Sequence, residues 1–315
     1  MQIRELEEAL GTALFERGAR QVRLTGFGEE FAVRVRDILR AVDELGDLAR
    51  AARDQLAGPL RIGVIPTIAP YLLPTLIGNL TRTHAGLDIR VRETLTPKLI
   101  EELAEGRLDT AIVALPVSEA AFDEIALFAE EFVLVRPGDE ADRPVPSADM
   151  LREMRLLLLE EGHCFRDQAL SFCSMYAAPP REIMTGSSLS TLVQMVGAGI
   201  GVTLIPEMAV PVETRSASVS VARFASPRPT RTIGMIWRRT SPLARQLVEL
   251  SAVVRASAEA LRERHHAGPG SVERGPASAR GDDPPADATA IARAPHPARI
   301  AQRRRTTSPA EGDAA

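Results

Sequence analysis

The sequence predicts an α/β fold of two small lobes, preceded by a long amphipathic helix and followed by a polar tail. Strands alternate with helical segments from Leu60 to Arg262, an order typical of parallel sheets with helices on their faces. Before them, apolar residues recur at helical spacing from Phe31 to Leu56. Beyond Ala267 the chain has no aromatic residue. We expect that tail to be disordered, because it cannot bury enough apolar surface to offset the entropy of ordering.

Composition excludes several classes of protein. The 315 residues suit about two domains, and 45% hydrophobic with 25% charged residues is ordinary for a globular chain. No apolar run reaches the roughly 18 residues of a membrane helix and no secretory signal opens the chain, so we expect a cytoplasmic protein without a membrane partner. Two cysteines are too few for a disulfide framework or a four-cysteine zinc site. With no metal-ligand spacing of histidines and no phosphate-binding glycine loop, we expect no metal and no cofactor.

The N-terminal residues predict a helix and a short basic hairpin. The apolar positions of the helix share one face, at Ile3, Leu6 and Leu10. Gly11 ends this helix, and Thr25 is a suitable N-cap for the next one. The predicted hairpin between these two helices contains three arginines, Arg17, Arg20 and Arg23.

The next helix carries an unbroken seam of apolar residues at alternating spacings of four and three. Its members are Phe31, Val35, Ile38, Val42, Leu45, Ala49, Ala52 and Leu56. This is the a/d pattern of a coiled coil, and it is narrower than the apolar face of a helix that lies on its own domain. We expect the helix to pair with a partner chain, with an amphipathic helix packed on its own domain as the alternative. Gly58 and Pro59 end it.

The two lobes consist of short apolar strands separated by helices. Predicted strands at 60–65, 87–93 and 108–115 enclose helices at 71–83 and 97–105. This β-α-β-α-β order predicts a parallel sheet. The remaining predicted strands are 131–137, 155–160, 201–206 and 231–237, and the remaining predicted helices are 164–176, 188–198 and 242–262.

The segment EEGHCFRDQALSFC, residues 160–173, is the strongest candidate for chemistry. Cys164 follows Gly162 and His163 and is predicted to open a helix. The positive end of a helix, together with His163 and Arg166 nearby, should lower the pKa of the thiol and favour the thiolate. A thiolate is the species that attacks peroxide and becomes a sulfenic acid.

The second cysteine, Cys173, lies nine positions later in the same predicted helix. Nine helical residues rise about 13.5 Å and bring the second side chain to the opposite face. A disulfide needs Cα atoms within about 7 Å, so these cysteines can bond only if the helix unwinds. A redox switch between two structures is one interpretation. Two unrelated buried thiols are the other, and the spacing alone leaves both open.

Two threonines are weaker candidates for a ligand site. Thr67 follows the end of a predicted strand, and Thr96 opens a predicted helix. Both are places where α/β folds bind small ligands. Each is otherwise an ordinary turn or cap residue.

Four segments resemble the LysR-type transcriptional regulators. Residues 3–31 are similar to the family's recognition-helix end, wing and linker start. GPLRIGVIPTIAPYLLP (58–74), LEEGHCFRDQALSFC (159–173) and RTIGMIWRRTSPL (231–243) match its members that sense hydrogen peroxide. The resemblance implies an effector domain of two Rossmann-like lobes, like a periplasmic binding protein, preceded by a long linker helix and a partial winged helix-turn-helix.

The resemblance also implies domain boundaries. Residues 1–25 are implied to be a remnant of the DNA-binding domain, and residues 26–57 a dimerising linker helix. The implied effector domain spans 58–262 and is followed by a disordered tail at 263–315. Within the effector domain, lobe I comprises 58–129 and 231–262, and lobe II comprises 130–230.

Roles for individual residues follow from the same resemblance. Cys164 is implied to be the peroxidatic cysteine and Cys173 the resolving one, joined by a reversible disulfide. The residues implied to line the peroxide site are Thr67, Thr96, His163 and Arg166. Arg231 is implied to support the region that switches. The implied contacts to the DNA backbone are Arg17, Arg20 and Arg23.

The implied function is a transcription factor, not an enzyme, that regulates antioxidant genes in response to hydrogen peroxide. Its implied partners are promoter DNA, further copies of itself as a dimer or tetramer, and RNA polymerase. Family members begin about two helices earlier, so we expect Met1 to fall inside the recognition helix and this chain alone to bind DNA weakly. A thiol peroxidase, and a regulator that binds a small molecule between its lobes, are the alternatives.

Overall fold

The structure, a computed structural model, describes residues 2–17, 21–52, 57–174 and 182–266. Arg20, Leu56 and residues beyond 266 lie outside the described residues, so what the sequence predicts for them stays a prediction. Within the described part of the chain, no helix is long and apolar enough to cross a membrane.

The N-terminal elements are those that the sequence predicts. Helix α1 (Gln2–Leu10) is followed by the antiparallel hairpin of β1 (Phe15–Arg17) and β2 (Val22–Leu24). Thr25 caps the long helix α2 (Gly26–Ala51), because its Oγ1 accepts a hydrogen bond of 2.9 Å from the Gly28 N–H. The capping prediction is therefore confirmed.

The first lobe is built on three parallel strands. Strand β3 (Gly58–Val64) lies between β4 (Leu87–Glu93) and β5 (Thr110–Leu115). Helices α3 (Ala69–Thr83) and α4 (Thr96–Ala104) connect them, which confirms the predicted β-α-β-α-β unit. Ile62, Val64 and Ile112 are fully buried, as expected for strands covered on both faces.

Strand β6 (Phe122–Pro137) passes from the first lobe into the second. Its first part, 122–131, pairs with β11 (Thr230–Arg238). Its second part pairs with β9 (Val202–Pro206) and β10 (Val219–Arg223). The sequence predicted a strand only from residue 131, and the structure corrects this to a strand that belongs to both lobes.

The second lobe adds strand β7 (Arg155–Leu159), which lies parallel to both β9 and β8 (Glu182–Gly186). Its helices are α5 (Ala148–Glu153), α6 (Cys164–Ser174), α7 (Leu189–Gly197) and α8 (Val210–Glu213). The last helix, α9 (Ala244–His266), packs on α3 and runs four residues past its predicted end.

The sheet is mixed, whereas the sequence predicted parallel strands. Strand β11 is antiparallel to β5 and β6, and β6 is antiparallel to β9 and β10. The reason is the path of the chain, because β6 leads out of the first lobe and β11 returns to it. The α/β fold of two lobes is confirmed, with β6 and β11 joining them.

Candidate redox site

Cys164 is the first residue of α6, as the sequence predicts. Strand β7 ends at Leu159, and a short turn leads to the helix. Within the turn, Gly162 has a φ of +92°, a conformation that L side chains rarely adopt. A Cβ at this position would also lie 3.0 Å from the Leu95 side chain. Glycine therefore lets the chain turn directly from the strand into the cysteine helix.

Four of the site residues inferred from the sequence surround one narrow pocket beside this helix end. They are Thr67, Thr96, His163 and Cys164. The remaining walls are apolar and include Leu95 and Phe165. The pocket is nowhere wide enough for a water molecule, so an occupant such as hydrogen peroxide requires the walls to move apart.

The two threonine hydroxyls of the pocket differ in their surroundings. Thr67 Oγ1 accepts a hydrogen bond of 2.8 Å from Arg231 Nη1, and among the described residues its own proton is donated to no acceptor. Thr96 Oγ1 is buried and has no hydrogen-bond partner in the described part of the chain. Buried hydroxyls usually have partners, so both groups are available to an occupant of the pocket.

His163 is half-buried and contributes to the pocket chiefly as a neutral group. Burial lowers the pKa of its imidazole, and the opposing influence of Glu160 is smaller. Because its pKa lies below the ordinary value of about 6.5, the ring is mostly uncharged at neutral pH. The sequence expectation that a histidine beside the cysteine favours the thiolate through its charge is therefore not supported.

Arg166 does not line this pocket, contrary to the expectation. Its Nη1 donates a hydrogen bond of 2.9 Å to the Leu159 carbonyl, at the end of β7. It thus fastens the helix to the strand that precedes it. Cys164 itself lies at the N-terminal, positive end of α6.

Arg231 lies behind the pocket in a fully buried ion pair. Its Nε and Nη2 donate to Glu130 Oε2 at 2.9 and 2.8 Å, and its Nη2 also donates to the Thr67 carbonyl at 3.1 Å. The other carboxylate oxygen, Oε1, accepts from the Met208 N–H at 3.1 Å. The guanidinium carbon lies 5.2 Å from the centre of the Phe165 ring, within range of a cation–π interaction.

Cys173 is placed by the structure on the same helix as Cys164, and its side chain lies outside the described residues. The backbone of α6 is helical over both positions. At 1.5 Å per residue their Cα atoms are about 13 Å apart along the axis. A disulfide between them is therefore incompatible with this form of the helix.

A wider cleft of about 400 Å³ adjoins the pocket and shares Thr67 and His163 with it. On its wall the Tyr71 hydroxyl donates to Glu213 Oε1 at 2.6 Å, and the Ser190 hydroxyl donates to Oε2 at 2.5 Å. Burial and the Glu213 carboxylate raise the pKa of Tyr71 far above its ordinary value, so the phenol stays protonated. Tyr71 comes from lobe I and Glu213 from lobe II, so this bond closes one side of the cleft.

Several residues around the site were missed by the sequence reasoning. Phe165 and Tyr71 lie within segments singled out in the sequence but were given no role, whereas Glu130 and Glu213 belong to no motif and reach the site only through the fold. Glu130 and Glu213 could have been noticed only as carboxylates within otherwise apolar segments.

The remaining candidate residues lie in the N-terminal part. Arg23 is exposed and its guanidinium bonds to Gln21 Oε1, whereas the side chains of Arg17 and Arg20 lie outside the described residues. Along α2 the seam residues Phe31 and Val35 are partly buried. Further along the same seam Ile38, Val42 and Leu45 are 64%, 58% and 68% exposed.

Comparison with known proteins identifies the family. The model of the LysR substrate binding domain matches residues 53–259, and that of the bacterial regulatory helix-turn-helix protein, lysR family, matches residues 1–29. The chain belongs to the LysR family of transcriptional regulators. The family assignment made from the sequence is thereby confirmed.

Within the LysR family, the chain is similar to proteins named for hydrogen peroxide. It is 43% identical over 262 residues to a probable hydrogen peroxide-inducible genes activator of Streptomyces viridosporus, covering 82% of this chain and 83% of the relative. It is 41% identical over 258 residues to the DNA-binding transcriptional dual regulator OxyR of Escherichia coli K12, covering 81% and 84%. These relatives are regulators of transcription, not enzymes.

Solved structures of the same group share the fold. A hydrogen-peroxide-bound OxyR mutant of Corynebacterium glutamicum superposes with a TM-score of 0.66 at 31% identity, covering 84% of this chain and 85% of that one. A full-length OxyR variant of Pseudomonas aeruginosa gives 0.64 at 36% identity, covering 80% and 83%. This LysR-type regulator is thus OxyR-like. The comparisons do not favour the thiol peroxidase or the small-molecule regulator.

Proposed function

We propose that this LysR-type regulator detects hydrogen peroxide through oxidation of Cys164. The observation that carries the proposal is the position of Cys164 at the N-terminus of α6, against a pocket with two available threonine hydroxyls. The attacking species is the thiolate of Cys164, and hydroxyl donors stabilise the oxygen that leaves when the O–O bond breaks. Thr67, Thr96 and His163 are the residues proposed to surround the peroxide.

The proposed reaction has two steps. The Cys164 thiolate attacks one oxygen of hydrogen peroxide, which forms the S–O bond of a sulfenic acid and releases hydroxide as the O–O bond breaks. The Cys173 thiolate then attacks the Cys164 sulfur, which forms the disulfide and releases a second hydroxide. Each hydroxide becomes water by taking up one proton, which balances the proton that each thiol releases when it forms its thiolate.

The proposed disulfide changes the structure because α6 cannot contain it. Joining two residues about 13 Å apart along a helix requires that helix to unwind. The buried Phe165 and the fastened Arg166 both lie in its first turn, so their contacts with Arg231 and Leu159 are the first to change. We infer that this rearrangement carries the signal to the rest of the molecule.

The proposed output is regulation of transcription from promoter DNA in the cytoplasm. We infer that the basic residues Arg17, Arg20 and Arg23 make phosphate contacts, and that the exposed seam of α2 pairs with a second copy. Tetramers and a contact with RNA polymerase stay predictions.

Peptide mapping tests the proposal. The reduced protein is treated with one equivalent of hydrogen peroxide, remaining thiols are alkylated, and digests are analysed by mass spectrometry. We expect a disulfide between Cys164 and Cys173 in the unaltered chain. In Cys173→Ser, a dimedone adduct on Cys164 should report the sulfenic acid, and Cys164→Ser should leave Cys173 reduced. Two free thiols, or overoxidation without a crosslink, would contradict the switch.

A further inference from the structure

The carboxylate of Glu130 determines how Arg231 is held. Both residues are buried, with exposed fractions of 5% and 3%. Glu130 Oε2 receives two of the guanidinium N–H groups, and Oε1 is tied to the backbone N–H of Met208. The carboxylate is therefore fixed on both oxygens, and the plane of the guanidinium is fixed with it.

The fixed guanidinium in turn determines the direction of the Thr67 hydroxyl. Arg231 Nη1 donates a hydrogen bond of 2.8 Å to Thr67 Oγ1. Because arginine is a donor only, the hydroxyl must accept in this bond, and its proton has to point elsewhere. Thr67 lines the Cys164 pocket, so its proton can be donated to a peroxide oxygen there. A preorganised donor at this point stabilises charge that develops on the leaving oxygen.

We infer that Glu130 is a positioning residue for the peroxide reaction, acting through Arg231 on the Thr67 hydroxyl. The inference rests on the proposed function, because it concerns the rate at which Cys164 reacts with peroxide. It predicts that loss of Glu130 slows the reaction of Cys164 with hydrogen peroxide, because the leaving oxygen of this oxidant needs a hydrogen-bond donor. An alkylating agent such as iodoacetamide expels iodide, which needs none, and so measures the reactivity of the thiolate alone.

The experiment compares these two reagents on the reduced full chain carrying Cys173→Ser. Second-order rate constants are measured across pH with hydrogen peroxide and with iodoacetamide, and each is divided by the thiolate fraction. In Glu130→Gln we expect the peroxide constant to fall at least about tenfold, with the iodoacetamide constant unchanged within about twofold. Thr67→Val should give the same split with a larger loss, roughly a hundredfold, and Thr67→Ser should restore the rate.

A matched control is the neighbouring carboxylate Glu131, which forms surface ion pairs with Arg223 and Arg228. Glu131→Gln should react with both reagents like the parent. If Glu130 acts through Thr67, adding Glu130→Gln to Thr67→Val should cause no further loss. Should Glu130→Gln fail to fold, Glu130→Gln with Arg231→Gln leaves no unpaired buried charge and should show the same split.

Three outcomes would overturn the inference. The first is that Glu130→Gln lowers the rate constants with both reagents equally. The second is that Glu130→Gln lowers the peroxide rate constant as much in the Thr67→Val background as in the parent. The third is that Glu130→Gln leaves the peroxide rate constant unchanged. If the parent itself does not react with peroxide, the proposed function fails, and that result is distinguishable from all three.

Discussion

The guanidinium of Arg231 lies 5.2 Å from the ring centre of Phe165, the residue that directly follows Cys164. The same ring meets Phe132 edge-on at 4.8 Å between centroids. Phe132 belongs to β6, the strand shared by the lobes, and Arg231 belongs to β11. The first turn of the cysteine helix is therefore anchored on the two strands that join the lobes, so a change in α6 bears directly on that junction.

Replacing this anchor should destabilise the reduced form. Phe165→Ala removes a fully buried ring and should lower the free energy of unfolding by about 3–5 kcal/mol. The measurement is urea denaturation of the reduced protein. Val248→Ala, at an exposed position of α9, should cost less than about 0.5 kcal/mol. An equally small loss for both variants would show that Phe165 is not an anchor.

The attachment of α2 to the first lobe depends on a network of charges. Asp109 is buried and accepts from the Arg61 backbone N–H at 2.7 Å and from Arg61 Nη2 at 2.7 Å. Arg61 Nη2 also lies 3.6 Å from Asp47 of α2, and Asp47 pairs with Arg50. Arg61 thus joins the long helix to strand β3.

Removing the Asp109 carboxylate should weaken this attachment. Asp109→Asn removes the charge that Arg61 Nη2 binds at 2.7 Å and should cost about 2 kcal/mol in the free energy of unfolding. Asp123→Asn, which breaks an exposed pair with Arg239, should cost less than about 1 kcal/mol. Urea denaturation of both variants checks the difference, and equal losses would be inconsistent with a structural role for Asp109.

His163 should make stability depend on pH below neutrality. Burial depresses its folded pKa, so between the folded value and the unfolded value of about 6.5 the unfolded chain binds more protons. The free energy of unfolding should therefore fall as the pH drops from 7 through this interval. His163→Gln should show a shallower decline over pH 7.5 to 5 in urea titrations. His84→Gln, which replaces a histidine of the first lobe, serves as the comparison, and identical slopes for all three proteins would remove His163 as the cause.

The periodicity of apolar residues in the sequence was sufficient to predict most helices and strands of the fold. Strands such as β3 and β5 are continuous apolar runs, and the Thr25 cap is a local signal. The first half of β6 was missed because Asp123, Glu124 and Glu130 interrupt its apolar pattern. Asp123 pairs with Arg239, and Glu130 bonds to Arg231 and Met208, which are partners distant in sequence that local pattern reasoning does not see. Glu124 instead accepts hydrogen bonds from the nearby backbone N–H groups of Val117 and Ser118.

In the candidate site, too, residues with a local sequence signal were predicted and residues that depend on distant partners were not. Thr67, Thr96, His163 and Cys164 were inferred from local positions and a family resemblance, and the structure brings them to one pocket. Arg166 was inferred to line the pocket from the same resemblance, yet its guanidinium donates to the Leu159 carbonyl instead. Glu130 could not be inferred, because its importance arises from hydrogen bonds to residues 101 and 78 positions away along the chain.

The exposed seam of α2 predicts how the chain associates. Ile38 and Leu45 lie seven residues apart on one stripe of the helix, and both are more than half exposed in the single chain. Exposed large apolar residues at heptad spacing are typical of a coiled-coil interface. Replacing both with glutamate would bury two unpaired charges in that interface, and each should cost several kcal/mol of association, about 3 kcal/mol or more.

Sedimentation velocity over a range of concentrations measures the effect. Ile38→Glu with Leu45→Glu should shift the protein to monomers at concentrations where the parent is a dimer. Val33 is also exposed on α2 but lies on the side of the helix away from the seam, so Val33→Glu is the matched control for the single variant Ile38→Glu. That control should sediment like the parent. If the seam variant keeps the parent's oligomeric state, or if both variants dissociate equally, the seam does not specify the contact between copies.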